Sequence, residues 1–334
     1  MAPLVSQLGR RVLQAPRGTF RGPAAHYFSE VISPLDAWKA EAKQRRSVVQ
    51  DTISATPLHL LALTIDPASA PEVRATQAEV PPNWHLIYFP DAFTETELSA
   101  DGYDATYAPP APYLNRVWAG GELEWSPTNP LQVGQQAAVT SECSSMDTKH
   151  SARLGPLVFV TLLRQIQNDR GWSVTEKRSL AYSQPPEKQS TPPPAAAAKR
   201  SGSTITRRAD FSRTIDPTEI MLFRYSALTF NSHRIHYDQP YATQVEGHRN
   251  CLVHGPLTCT LLLNLARAQF RTAMVPRQFK KFTYRAVSSL FCGEPFTVKG
   301  KWTTPAADGT ATACELWAEN PNGGLAMSGT LEFY

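Results

Sequence analysis

Residues 254–265 read His-Gly-Pro-Leu-Thr-Cys-Thr-Leu-Leu-Leu-Asn-Leu, and this run restricts the possible folds of the chain more than any other. Pro256 has no N–H to lose and its fixed φ suits a first helical turn, so a helix is predicted to begin there. Leu257, Leu261, Leu262 and Leu265 then recur at helical spacing and form one continuous apolar face. A helix this apolar has to be enclosed. The segments after it supply the enclosure: residues 279–286, 294–302, 310–318 and 325–333 read as strands. Asp308-Gly309 and Asn322-Gly323 between them provide the positive φ of tight hairpins. The predicted class is α+β, an antiparallel sheet wrapped around a central helix.

The pattern occurs twice. Leu123-x-Trp125, Leu131 and Gly134-Gln135 repeat the spacings of Phe282-x-Tyr284, Leu290 and Gly293-Glu294, and a Pro-Leu pair opens an apolar run ahead of each, at Pro57-Leu58 and Pro256-Leu257. Strand-like segments at 121–125, 135–141 and 157–166 fit a first copy, and residues 30–50 are charged and helical in pattern. The proline-rich passages at 81–90 and 108–112 are expected to be ordered loops, because Trp84, Tyr88, Phe89 and Trp118 would be costly to leave in water. Residues 184–213 combine Pro, Ala, Ser and basic residues with nothing to bury, the composition of a disordered linker. The organisation expected is a segment at 1–29, a first repeat at 30–183, the linker at 184–213 and a second repeat at 214–334.

The first 29 residues contain no Asp or Glu, and Arg10, Arg11, Arg17 and Arg21 are interleaved with Leu4, Val5, Leu8, Val12 and Leu13. That composition predicts a mitochondrial transit segment and places the mature protein in the matrix; no uninterrupted apolar core of a secretory signal follows. Those four arginines match the formal net charge of +4. The remainder is near neutral, so no nucleic-acid partner is expected. No apolar run reaches the roughly 20 residues that span a bilayer. The five cysteines (Cys143, Cys251, Cys259, Cys292, Cys314) are odd in number and scattered, which suggests neither a disulfide frame nor a zinc site.

His233 and His236 stand three residues apart, shortly before the predicted helix. A helix N-terminus presents unpaired N–H groups and the positive end of its dipole, so an imidazole base and an anion stabiliser are brought together. Adding water across a double bond conjugated to a thioester needs a base for the water, an acid for the α-carbon and donors for the enolate oxygen. His236 suits the base. Asn231 suits a holder of the water, and the N–H groups from Gly255 onward suit the oxyanion; a glycine there would admit a carbonyl close to the backbone. His233, His236 and Asp238 could bind a metal, but no further ligand lies at a recognisable spacing and none is expected. Asp238 reads better as a cap or turn residue. His254 is either ligand-facing or a strand-end residue. Arg234 either grips a carrier phosphate or forms a structural ion pair. No Gly-rich phosphate loop, G-x-S-x-G or H-E-x-x-H occurs, which removes nucleotide hydrolysis, serine hydrolysis and zinc proteolysis.

The segment Tyr225-x-x-Leu228-Thr229-Phe230-Asn231-x-His233-Arg234-Ile235-His236-x-Asp238-x-Pro240, with His254-Gly255-Pro256-Leu257, resembles the hydratase motif of MaoC-like hot-dog-fold hydratases and dehydratases. It is most similar to the branch that holds fungal mitochondrial type 2 hydroxyacyl-thioester dehydratases and mesaconyl-CoA-type hydratases. Trp118-Ala-Gly-Gly, Gly155-Pro-Leu-Val-Phe-Val and Leu316-Trp317-Ala extend the likeness over most of residues 55–334. The wider family carries an Asp where Asn231 stands, an Asn at His233 and a Pro at Arg234; the branch shares the Asn-x-His-Arg-Ile-His form.

The resemblance implies a double hot-dog in which the first repeat is degenerate and the second catalytic. His236, Asn231, His233 and Gly255 would be catalytic, and Arg234, Tyr225 and His254 would bind substrate. The implied reaction is reversible dehydration of a 3-hydroxyacyl-thioester, in mitochondrial fatty acid synthesis, with no metal or redox cofactor. The acyl group would ride on acyl carrier protein, a possible partner, or on coenzyme A. Alternatives are a mesaconyl- or itaconyl-CoA hydratase, a hot-dog thioesterase and a non-catalytic acyl-binding subunit. A two-repeat chain already imitates a hot-dog dimer, so either a monomer or a homodimer is expected.

Overall fold

Among the described residues ten strands join in one antiparallel sheet, and their order carries the repeat seen in the sequence. The computed structural model describes residues 32–151, 155–184, 207–272, 277–303 and 312–334. The expected transit segment at 1–29, the Asp308-Gly309 turn and most of the expected linker lie outside the described residues. In chain order the elements are α1 (Pro34–Ala42), β1 (Arg46–Thr52), α2 (Ala55–Ile65), β2 (Asn115–Trp125), β3 (Gln136–Ser151), β4 (Gly155–Asn168) and β5 (Gly171–Ser183). The second set is β6 (Phe211–Ile215), α3 (Glu219–Leu228), α4 (Gly255–Thr272), β7 (Phe279–Ala286), β8 (Phe296–Trp302), β9 (Ala313–Glu319) and β10 (Leu325–Phe333). The sheet runs β1-β3-β4-β5-β2-β7-β10-β9-β8-β6. Read from either edge the order is the same, with β2 and β7 meeting at the centre.

That centre coincides with the repeat. Leu123 of β2 stands opposite Phe282 of β7, the two positions the spacing had matched, and both are buried. The bridges Glu79↔Gln132 and Leu252↔Phe291 occupy corresponding places in the two halves. An axis of approximate two-fold symmetry therefore passes through the Leu123–Phe282 pair. Asn322-Gly323 makes the turn before β10, with Gly323 at φ +73°.

Helix α4 starts as the Gly-Pro predicts and is buried on nearly every side, Leu257, Leu261, Leu262 and Leu265 included. The proline-rich passage at 81–90 holds it from the first half. Asn83 Nδ2 donates to Thr260 Oγ1 at 2.7 Å, and Trp84 Nε1 donates to Asn264 Oδ1 at 2.9 Å. Trp84, Tyr88 and Phe89 are buried as expected. Polar side chains on a buried helix need such partners, and this passage supplies them to Thr260 Oγ1 and Asn264 Oδ1.

Three local readings are corrected. The helical pattern over 30–50 stops at Ala42, and Arg46–Thr52 pairs with β3 instead. Val48 and Val49 suit a strand, and half-burial alternates along β1 because it is a sheet edge. Strand β5 had no counterpart in the sequence reading: its alternation is broken by Glu176, Lys177 and Arg178. Strand β6 starts at Phe211, inside the segment expected to be linker, and pairs with β8. Among the described residues no helix is long and apolar enough to cross a membrane.

Candidate active site

The local fold explains how two histidines three residues apart come to share a wall. Helix α3 is capped by Thr218, whose Oγ1 accepts from Met221 N, and it ends at Leu228. Asn231 then folds its side chain back so that Oδ1 accepts from His233 N at 3.0 Å, an Asx-turn that sets the next residues. Arg234–His236 form a single 3-10 turn closed by His236 N donating to His233 O. Residues three apart nearly eclipse in that geometry. The rings of His233 and His236 accordingly stand 5.6 Å apart and perpendicular.

His236 is buried, and its Nδ1 lies 2.9 Å from the carbonyl oxygen of Leu252. A carbonyl only accepts, so Nδ1 carries the proton and Nε2 keeps the lone pair. Burial, with the neighbouring His233 adding to it, pulls the His236 pKa down to about 3. The imidazole is neutral at physiological pH. Behind it His254 stacks at 3.7 Å and 20°, is fully buried, and joins Ser226 Oγ through Nε2 at 2.8 Å. Burial and the two other imidazoles hold His254 well below the ordinary histidine value.

A cavity of about 1240 Å³ opens in front of these rings. His233, His236, Asn231, Tyr225 and Gly255 all line it from the second half. Gly255 begins α4, and its N–H has no acceptor among the described residues. Expected base and expected oxyanion donor thus face one space. The reason for glycine differs from the expected one. A Cβ on Gly255 would stand 2.8 Å from both Cβ and Cγ of Trp118. The absent side chain makes room for an indole of the first half rather than for the ligand.

The first half also supplies what the motif lacks. Asp101 Oδ2 lies 3.4 Å from His233 Nε2, and Glu246 Oε1 lies 3.6 Å from the same atom. At these separations the carboxylates are charged neighbours that orient the ring rather than close hydrogen-bond acceptors. Asp101 is fixed by Arg116, whose Nη2 donates to Oδ2 at 2.6 Å and whose Cζ lies 4.0 Å above the Tyr103 ring. Its loop is tied to the histidine turn by Arg234 N donating to Asp101 O and by Ser232 Oγ donating to Gly102 O. Burial would raise the pKa of Glu246, but His233 and His248 together hold it at about 2. Nothing in the spacing of Asp101, Arg116 or Glu246 marks them in the sequence.

Two residues expected to bind substrate stand off the wall of the main cavity. His254 lies behind His236, fully buried, and does not line the cavity. Arg234 pairs with Asp238, with Nε and Nη2 at 3.0 and 2.8 Å from Oδ2, and borders a second, adjoining cavity of about 750 Å³. Asp238 also accepts from Tyr241 N, the turn role expected of it. Tyr225 does border the main cavity, packed edge-on against His254 at 5.0 Å.

The fold is the double hot-dog of MaoC-like proteins, and the family match makes the chain a hydro-lyase. The model of the hydroxyacyl-thioester dehydratase type 2 family matches residues 83–292, and the chain belongs to that family. It is 33% identical over 298 residues to a mesaconyl-C(4)-CoA hydratase of Chloroflexus aurantiacus, covering 89% of this chain and 96% of that protein. A mitochondrial hydroxyacyl-thioester dehydratase type 2 of Schizosaccharomyces pombe is 28% identical over 282 residues, covering 75% and 88%. Among solved structures a MaoC-like dehydratase from Phytophthora capsici superimposes with a TM-score of 0.61 at 16% identity, over 86% of this chain and 95% of that one.

Proposed function

We propose that the protein reversibly adds water to, or removes it from, the 2,3 bond of an acyl thioester, with His236 as the general base. The observation that carries this reading is the lone pair on His236 Nε2 facing the same cavity as the unpaired Gly255 N–H. In the hydration direction, His236 Nε2 takes a proton from water as the water oxygen bonds to C3. The C2–C3 π pair moves toward the thioester, and the enolate oxygen is held by Gly255 N–H and the positive end of α4. The imidazolium then returns its proton to C2. Dehydration is the reverse. Asn231 Oδ1 is occupied by the backbone, so its remaining capacity is Nδ2, which donates to the water oxygen and leaves the water protons for His236. His233, set by Asp101 and Glu246, keeps the wall beside His236 in place.

The reading extends to a 3-hydroxyacyl-thioester dehydratase of mitochondrial fatty acid synthesis working on acyl carrier protein. The mitochondrial relative and the arginine-rich, acid-free first 29 residues support it. A second reading, hydration of a short dicarboxylate held on coenzyme A, is favoured by the higher identity to the mesaconyl-C(4)-CoA hydratase. Crotonyl-CoA incubated with the protein is expected to lose its enoyl absorbance without release of free thiol. Thiol release would indicate thioester hydrolysis and defeat the proposal. A series of 3-hydroxyacyl thioesters of varied length, presented on both carriers and scored for dehydration, then separates the two substrates.

A further inference from the structure

His254 is joined to both parts of the proposed machinery. Its ring stacks on His236 at 3.7 Å and 20°. Its carbonyl accepts from Thr258 N at 3.0 Å and from Thr258 Oγ1 at 3.3 Å, so this residue closes the first turn of α4. The peptide that follows it carries the Gly255 N–H. A displacement of His254 therefore moves the ring behind the base and the oxyanion donor together.

A single hydrogen bond fixes that ring. Ser226 Oγ lies 2.8 Å from Nε2, Tyr225 packs edge-on at 5.0 Å, and Nδ1 has no partner among the described residues. Ser226 sits near the end of α3, and its carbonyl accepts from Asn231 N at 2.9 Å. Asn231 in turn sets the turn that carries His233 and His236. The Ser226–His254 bond thus ties the histidine turn to the start of α4. The pair is not built as a nucleophile and its base, because that arrangement needs a third group on the far ring nitrogen and Nδ1 has none.

Asp101 and Glu246 pair with His233 and not with His236. The charge that His236 gains on taking a proton therefore develops against the face of His254, which is fully buried and held well below the ordinary histidine value. A neutral aromatic face tolerates a cation at that distance; a second imidazolium would repel it.

We propose that Ser226 and His254 form a positioning pair that holds the His236 ring and the Gly255 N–H at one fixed separation, so that proton transfer and oxyanion stabilisation meet on one bound thioester. This rests on the thioester reading above. Neither residue touches the reacting atoms: His254 is off the wall of the main cavity, and Ser226 borders the second cavity instead. A small change in that separation acts on the barrier rather than on binding.

The test uses the full chain with Ser226→Ala, which removes the hydroxyl and keeps the imidazole. The kcat on crotonyl-CoA is expected to fall about 10- to 100-fold, with KM changed by less than about twofold. Ser226→Thr keeps the hydroxyl and is expected to recover most of the rate. In a His254→Phe background Ser226→Ala should cost little more, because the bond is already absent. Isotope-edited infrared spectra of bound butyryl-CoA, an unreactive thioester, add a reading that fold stability does not move. Its carbonyl stretch is expected at lower frequency than in solution, and Ser226→Ala is expected to give back part of that shift. An unchanged kcat, a loss confined to KM, or a carbonyl shift that Ser226→Ala leaves intact would each overturn the proposal. If Ser226→Ala does not fold, Ser226→Cys, close in size and a weak donor, is read in the same way. An unshifted carbonyl in the unmodified protein would instead defeat the oxyanion donor of the proposed function, and the kcat of Ser226→Ala would still decide on the pair.

Discussion

Gly255 and Trp118 occupy the space that one Cβ would need: the missing methyl would lie 2.8 Å from the indole Cβ and Cγ. The start of α4 in the second half is therefore set against a side chain of the first. Gly255→Ala is expected to shift either the indole or the helix start and to lower kcat/KM on crotonyl-CoA by about a hundredfold. In a Trp118→Gly background, which removes the Cβ as well as the indole, the same substitution should have little further effect, because the space is then open. Steady-state kinetics on the four variants, with circular dichroism to verify folding, checks this.

His236→Gln removes the proposed base and leaves the buried volume nearly filled. The expected outcome is a kcat lowered by about 10²- to 10⁴-fold with little change in KM. An unchanged kcat would move the base elsewhere.

Because His236 is held near 3 by burial, its active, neutral form persists well below the ordinary histidine value. The kcat/KM profile is expected to show no inflection at pH 6 to 7 from this ring, and to fall only in more acidic solution. An inflection near 6.5 that disappears in His236→Gln would contradict this.

Stability carries the same signature. His236 and His254 are both lowered from 6.5, so their contribution is complete above 6.5 and is lost as pH falls toward the folded-state values. Glu246, lowered from 4.5 to about 2, gives up its contribution only below about pH 4.5. The melting temperature is therefore expected to decline already between pH 6.5 and 5, and less steeply in His254→Gln. Thermal melts across that window read the difference.

Asp101→Asn would leave Arg116 buried without its carboxylate. A loss of about 3–5 kcal/mol is expected by chemical denaturation, with part of it restored by adding Arg116→Met. A change below about 1 kcal/mol would mean that the pair is solvated.

Much of the second repeat could be read directly. Strands β7 and β10 begin and end where the alternation places them, and Gly255-Pro256 opens α4. Even the symmetry was visible, because Leu123 and Phe282, matched by spacing, turned out to face each other in the sheet. Strand β5 escaped because Glu176 and Arg178 occupy inward positions, and a buried ion cluster looks like a solvated face until its partners are known. Of the site, His236, His233, Asn231, Tyr225 and Gly255 were found by motif and do line one cavity. Asp101, Arg116 and Glu246 were not, since the carboxylates beside His233 come from a loop more than a hundred residues earlier and from a turn beyond the motif.

By itself the sequence determined what depends on neighbours along the chain: where helices begin, which faces are apolar, and that two like units follow one another. Periodicity, proline placement and turn residues are local, and local rules suffice for them. Only the tertiary structure decided which half completes the other. Packing between distant segments set Trp118 against Gly255, stacked His254 behind His236 instead of on the cavity wall, and paired Arg178 with a buried Glu176. Close packing and charge pairing act across space, and no spacing along the chain encodes them.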